Sequence, residues 1–475
     1  MHDVTSAAAR PPRLRGRPEA GFAEAEAGEQ DQRPLRVGVL VDLPLDRHAG
    51  GHAKFWRRIG NAALAHAASL DLTLHFNGEK PERRTIAENL RYILEPACFS
   101  TRRLPFLAYV PDDTDLAPWH PRLAEMIRDY DVIHTTDAYF AYARTARRVA
   151  RRHGIALVNS VHTNTPPLAR LYTRETIERL LGHGVAGRLL AEQLPGRVEA
   201  GMIRRLEQHN RASDFVFVSR PDQLAAAEAA TGGRAAPLRR GIDRELFNPA
   251  KRDRQRLAQD FGIPPERLVV LFVGRVERGK NILLLAAGLK PLLDRGVDLH
   301  LLCCGEGDRR ADIEAALPGR ASCPGGIEPE RLAAIYASAD LFALPSRVEE
   351  YANVVLEALA SGLPVLVSRE GGMGRVIVEG ETGFVLPGDS GEAWGETVAA
   401  LAADPLLRRR MGLLARRYAE ETLPSWEDVL VQDLLPAWRA AAAIKAAERA
   451  RSAPARGSLL ANAWSGSTNL ARDRR

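Results

Sequence analysis

From residue 35 onward, short apolar runs alternate with longer stretches of helical periodicity. RVGVLVD (36–42), LTLHF (72–76), DVIH (131–134), IALVNSV (155–161) and FVFVS (215–219) read as buried strands. A loop with Gly50-Gly51 leads into a helical stretch from about Ala53 to Ser69. AYFAYARTARRVARRHG (138–154) reads as a helix stopped by Gly154. A second series of the same kind begins near residue 268. LVVLFVG is a strand, NILLLAAGLKPLLDRG a helix closed by Gly296, and DLHLLCCG, DLFALPS, LPVLVS and TGFVL are further strands. Strands this apolar, separated by helices, belong to parallel sheets covered on both faces. The pattern therefore predicts an α/β protein with two doubly wound, Rossmann-like units facing a cleft, divided around Pro237–Pro249. In such sheets ligands lie beyond the C-terminal ends of the strands. The predicted boundaries are 35–238 for the first unit and 239–424 for the second. Residues 1–34, with almost no large apolar side chain, read as a disordered extension. The stretch 424–452 reads as helical apart from Pro436, and 451–475 as a loose tail.

Length agrees with two units, since 475 residues exceed what one hydrophobic core organises. No run approaches the ~18 apolar residues of a membrane span, and the N-terminus lacks an apolar signal region, so a cytoplasmic location is expected. The net charge of +6 would invite a nucleic-acid reading, but the surplus is diffuse and no nucleic-acid partner is expected. The basic residues are sixty arginines and only six lysines, so a lysine inside a motif stands out while an arginine does not. The helix carrying Arg144, Arg147, Arg148, Arg151 and Arg152 is a candidate for peripheral contact with an anionic membrane face, against the plainer reading of a solvated basic face. Cys98, Cys303, Cys304 and Cys323 form neither a CxxC pair nor a Cys/His ligand spacing, so no metal site is expected, and Cys303 and Cys304 read as core thiols.

The most informative segment is PSRVEEYANVVLEALASGLPVLVS (345–368). A strand ends at Pro345-Ser346, a polar loop carries Glu349 and Glu350, and a helix begins near Asn353, a favoured N-cap residue. Gly362 and Pro364 end that helix. Helix N-termini attract anions through free N–H groups and the macrodipole. Glu349 lies before the helix and Glu357 one turn inside it, so the two carboxylates are placed differently.

The Glu349-x7-Glu357 block resembles the signature of retaining family 4 glycosyltransferases, enzymes of the GT-B fold. VGRVERGKN (273–281), GEGD (305–308), RGIDRELFNP (240–249), HAGGH (48–52), SVHTNTPP (160–167) and SWEDV (425–429) resemble further segments of that family in the same order. The resemblance implies that residues 425–450 form a helix packing back on the first unit. It implies a hexosyltransferase acting on a nucleotide-diphosphate sugar donor and a hydroxyl acceptor, whether lipid, glycan or small metabolite. Arg275 and Lys280 would hold the donor diphosphate, with backbone N–H groups of Ala352, Asn353 and Val354 facing it. Glu357 would accept hydrogen bonds from ribose hydroxyls, and Glu349 from hydroxyls of the sugar. His162 would contact the sugar near its anomeric carbon, with His134, His48 and His52 as weaker candidates. Gly50 and Gly51 would let backbone approach the ligand closely.

The resemblance favours front-face displacement, in which the leaving diphosphate helps deprotonate the acceptor, with no required metal and no cofactor. Two positions depart from the family pattern. Ala352 stands where glycine is frequent, and Arg375 in GGMGR (371–375) stands where an acid is frequent. These departures leave open a nucleotide-sugar-binding protein without transferase activity. A GT-B enzyme of other chemistry, such as a phosphorylase or epimerase, is the third reading.

Overall fold

The computed structural model describes residues 33–45, 51–107, 114–182, 184–347 and 352–452. The predicted N-terminal extension apart from Arg33-Pro34, nearly all of the tail, and Gly50, His48 and Glu349 lie outside the described residues.

The first sheet contains β1 (Leu35–Pro44), β2 (Leu70–Asn77), β3 (Glu82–Ala87), β4 (Leu90–Glu95), β5 (Val132–Thr135), β6 (Ala156–Val161), β7 (Phe215–Val218) and β8 (Ala235–Pro237). Their order is β3-β4-β2-β1-β5-β6-β7-β8, parallel except where β3 runs against β4. Alternation along β1 separates two cores. Val37, Val39 and Val41 face one side with the helix Gly51–Ala63, and Leu40 faces the other with Tyr142, Ala146 and Val149. The predicted helix over 138–154 is present as Ala141–His153, and Gly154 ends it in the left-handed region at φ 64°. Two of its arginines bond to the chain's own backbone: Arg144, half-buried, donates to the carbonyls of Leu116 and Ala117, and Arg148, exposed, to that of Pro118. The β3–β4 hairpin has no counterpart among the predicted strands. Its outer strand is mostly exposed and charged, so it lacks the apolar run that marks a buried strand.

The second sheet contains β9 (Leu268–Val273), β10 (Leu299–Cys304), β11 (Ala321–Gly325), β12 (Leu341–Leu344), β13 (Val365–Ser368) and β14 (Gly383–Leu386), in the order β11-β10-β9-β12-β13-β14 and parallel throughout. One continuous core covers both faces and includes Cys303, Cys304 and Cys323 as buried free thiols. Strand order reverses between β1 and β5 in the first sheet and between β9 and β12 in the second. At these switch points the connections leave to opposite faces and open a crevice.

The chain crosses between the sheets twice, side by side. Ile242 N–H donates to Pro424 O at 2.9 Å. A Cβ added to Gly241 would lie 2.6 Å from the backbone N and Cα of Trp426. After a capping box at Ser425 and Asp428, Trp426–Asp428 continues through a π-helical stretch, Val429–Leu434, into Leu435–Ser452. Against the pattern read from the sequence, Pro436 does not interrupt this helix. The π turn directly upstream rearranges the hydrogen bonds where proline lacks its donor. Leu430, Leu434 and Trp438 of this segment are fully buried with Phe55, Trp56 and Phe217 of the first sheet's core.

Gly241→Ala is expected to destabilise the protein by about 1–3 kcal/mol, the usual cost of forcing a methyl into a filled site. Urea unfolding measures this, and an unchanged midpoint would show that the two crossings do not touch.

Candidate active site

The C-terminal wall forms at the β9/β12 switch point. Gly274 (φ 150°) and Gly305 (φ 154°) allow the ends of β9 and β10 to meet backbone to backbone. A Cβ on Gly305 would overlap the Gly274 carbonyl. Gly274 N–H donates to Cys304 O at 3.0 Å, and Val276 N–H to Glu306 O at 2.8 Å. This contact anchors the loop carrying Arg275 and Lys280. Arg275 is exposed and lies 3.2 Å from Glu277, and Lys280 is half-buried in the turn Arg278–Lys280. Asn281, at φ 56°, follows in the left-handed region that asparagine tolerates. Its side-chain amide donates to Gly388 O at 2.8 Å, tying this loop to the segment after β14.

The helix predicted near Asn353 spans Asn353–Ala360, but Asn353 is its first helical residue and not its cap. Ala352 holds the cap position and offers no side-chain acceptor. The Ala352 N–H donates instead to Met373 Sδ at 3.0 Å, so this amide is engaged within the chain. Asn353 and Val354 contribute first-turn N–H groups, which have no intrahelical acceptor. Asn353 Oδ1 is buried and has no hydrogen-bond partner among the described residues. One turn further, Glu357 is buried. Its Oε1 accepts from Arg58 Nη2 at 2.8 Å and its Oε2 from the Tyr336 hydroxyl at 3.2 Å. Arg58 belongs to the helix Gly51–Ala63 on the first sheet, so this ion pair spans the cleft. The Arg58 guanidinium also lies 5.2 Å from the Trp426 ring centroid.

The N-terminal wall is built on imidazoles. His162 follows β6, 8% exposed, and stacks on His52 at 4.0 Å between centroids. Phe55 meets its edge. Burial holds the His162 imidazolium well below its ordinary pKa, with His52, Arg240 and His134 adding smaller effects in the same direction. His52 is lowered to about 3 by burial and then Arg240, and His134 to about 3 by burial. Trp56 Nε1 lies 3.2 Å from His162 Nε2 and can only donate. Nε2 is therefore an acceptor, and the single proton of the neutral ring is on Nδ1. That Nδ1 is buried without a hydrogen-bond partner among the described residues. Gly51 begins the neighbouring helix, and a Cβ there would meet nothing within 4 Å among the described residues, so no contact with them requires glycine.

The structure thus gathers Arg275, Lys280, Ala352, Asn353, Val354 and Glu357 at one switch point, with Gly51, His52, His134 and His162 on the first sheet's side of the molecule. Several neighbours escape a reading of the sequence. Arg58 looks like any of sixty arginines, and Tyr336 and Trp56 look like ordinary core aromatics. Arg240 lies in RGIDRELFNP and is buried, with its guanidinium 4.8 Å from the Phe55 centroid. Arg375 lines a pocket of ≈ 250 Å³ with Glu370 on one side and Arg220 and Asp222 on the other. Arg220 hydrogen-bonds Asp222 and holds that carboxylate below its usual range, with Arg375 contributing less. Among the described residues, Cys98, Asp115 and His120 are the group whose ligand atoms lie close enough for a metal ion. Those atoms are largely committed: Asp115 accepts from the amides of Cys98, Phe99 and Ala117, and His120 Nδ1 from that of Leu123. No described helix is long and apolar enough to cross a membrane.

Residues 253–418, which hold Arg275, Lys280 and the Asn353–Ala360 helix, match the family described as Glycosyl transferases group 1. Among curated proteins, the chain is 28% identical over 337 residues to D-inositol 3-phosphate glycosyltransferase of Corynebacterium efficiens, covering 67% of this chain and 74% of that one. It is 29% identical over 328 residues to sulfoquinovosyl transferase SQD2 of Arabidopsis thaliana, covering 67% of this chain and 58% of that one. Among solved structures, sucrose-phosphate synthase from Thermosynechococcus elongatus superposes with a TM-score of 0.59 at 20% identity, over 88% of this chain and 98% of the other. That likeness concerns the fold alone. The family match falls on the loop and helix at the β9/β12 switch point, so residues 253–418 form a group 1 glycosyltransferase domain, and the chain as a whole has the GT-B fold.

Proposed function

We propose that the enzyme transfers a sugar, with retention at the anomeric carbon, from a nucleotide-diphosphate sugar to a hydroxyl acceptor. The observation that carries this reading is the convergence at the β9/β12 switch point of Arg275, Lys280 and the start of the Asn353–Ala360 helix, with Glu357 one turn deeper. A guanidinium, an ammonium and first-turn amides suit a diphosphate, whose charge grows as the sugar–oxygen bond breaks. Glu357, held from both sides by Arg58 and Tyr336, offers the remaining lone pairs of its oxygens to ribose hydroxyls. Glu349, eight residues before Glu357 in the sequence, takes the sugar hydroxyls.

The state of His162 narrows the mechanism. Its Nε2 accepts from Trp56 and its buried Nδ1 carries the proton, so the ring has a donor to offer and no free nitrogen to act as a base. Deprotonation of the acceptor then falls to the leaving diphosphate, as front-face displacement requires. His162 can donate to a sugar hydroxyl or to an oxygen near the anomeric carbon. Catalysis becomes positioning and stabilisation of developing negative charge.

Lys280→Ala and Glu349→Ala are each expected to abolish sugar transfer while circular dichroism and melting behaviour stay those of the parent. Product formation from UDP-, GDP- and ADP-sugars measures this, and parental rates in either variant would refute the assignment.

The imidazoles of His52, His134 and His162 are expected to remain neutral from pH 8 down to about pH 5 in histidine NMR titrations. A midpoint near the ordinary 6.5 for His162 would show that burial does not hold the ring neutral. The linkage has one sign. The unfolded chain takes up protons at these rings below about 6.5, and the folded chain takes them up at His52 and His134 only near 3. Their contribution to stability is therefore unchanged above pH 6.5 and is lost as the pH falls below it.

A further inference from the structure

The helices Thr165–Leu181 and Val185–Arg211 pack against each other as a hairpin beginning three residues after His162. An amphipathic helix of a globular protein normally turns its apolar stripe into the core. This hairpin buries few large apolar side chains, Ile177 and Met202 among them. Of seventeen large apolar residues exposed among the described residues, nine lie in this hairpin, so the exposure is concentrated and not scattered. It is greatest around the turn, where Leu180 is 61% exposed, Leu181 53%, Val185 79% and Leu189 54%. Exposed apolar surface concentrated in this way marks a binding face.

We propose that the tip of this hairpin docks the enzyme on an anionic lipid bilayer. The charge pattern selects that partner. From Arg179 to Ala191 the chain contains no acidic residue, with Glu178 and Glu192 just outside that stretch, and Arg179 and Arg188 lie among the exposed Leu180, Leu181, Val185 and Leu189. The whole stretch 165–211 carries eight arginines against five glutamates. Leucine and valine side chains enter the acyl boundary while arginines, long enough to reach outward, meet anionic headgroups. A protein interface core would favour aromatic side chains, and residues 179–191 contain none. The short helix Pro105–Leu107 packs beside the first helix of the hairpin, and Phe106, 43% exposed, extends the apolar surface there. The proposal concerns binding alone and stands whether or not the transfer reaction is as described above.

Sedimentation of the full-length chain with vesicles tests it, using phosphatidylcholine with phosphatidylglycerol and phosphatidylcholine alone. Binding is expected to the anionic vesicles, more weakly to the neutral ones, and to weaken with added salt. The combined variant Leu180→Ser, Leu181→Ser, Val185→Ser and Leu189→Ser should lose affinity by roughly tenfold or more. Because these side chains are exposed, its melting temperature should not change. Arg179→Glu with Arg188→Glu should abolish the preference for anionic vesicles, whereas Arg151→Glu with Arg152→Glu should leave binding intact. Failure of the parent chain to bind anionic vesicles would overturn the proposal, as would undiminished binding by the serine variant. So would light scattering that shows a dimer dissociated by those serines, since a second copy would then cover the face.

Discussion

The contact between Arg58 and Glu357 brings the two sheets' functional ends into register. A carboxylate buried this deeply is costly to leave unpaired: loss of one partner of a fully buried pair typically costs about 3–5 kcal/mol, and the cost here is smaller because the Arg58 side chain is 28% exposed. The carboxylate comes from the helix after β12 and the guanidinium from the helix after β1. Trp426, on the segment that returns from the second sheet to the first, lies against that same guanidinium. Three parts of the chain far apart in sequence thus converge on one charge pair. In the proposed site Glu357 also receives the ribose, so nucleotide and N-terminal wall compete for, or share, the same two oxygens. Domain position and donor occupancy become linked through a single side chain.

Much of the architecture is legible in the residues because parallel strands buried on both faces must be apolar throughout. β1, β9, β10 and β13 declare themselves in this way. β3 and β11 do not: β3 is an exposed, charged edge, and β11 carries Pro324, which an edge strand tolerates. The site divides along similar lines. Lys280 stands out because lysine is rare in this chain, and the Glu349–Glu357 spacing because its context is specific. Arg58 has no such distinction, and its importance appears only when folding carries it to Glu357. Asn353 shows the limit of local propensity. Its type suits a cap, yet the helix begins one residue earlier in register and Met373 takes the amide that a cap would have left for a ligand.

The imidazoles carry a second lesson. Indole N–H groups fix their tautomers: Trp56 donates to His162, and Trp438, from the returning helix, donates to His134 Nδ1 at 2.9 Å. A tryptophan has no alternative role in such a bond, since it cannot accept. Proton placement at the cleft is thereby decided by the packing of the first sheet's core and not by the pH of the surroundings.

Where residues 241–242 pass against residues 424–426, the two crossings between sheets touch along their backbones. Two adjacent strands of chain bend easily in the direction perpendicular to their common plane and resist bending within it. Any opening of the cleft would thereby be confined to something like the swing of a door on two hinge pins. Halves that separated about these crossings would return to the same alignment, and the Arg58 and Glu357 faces would meet again without a search over orientations.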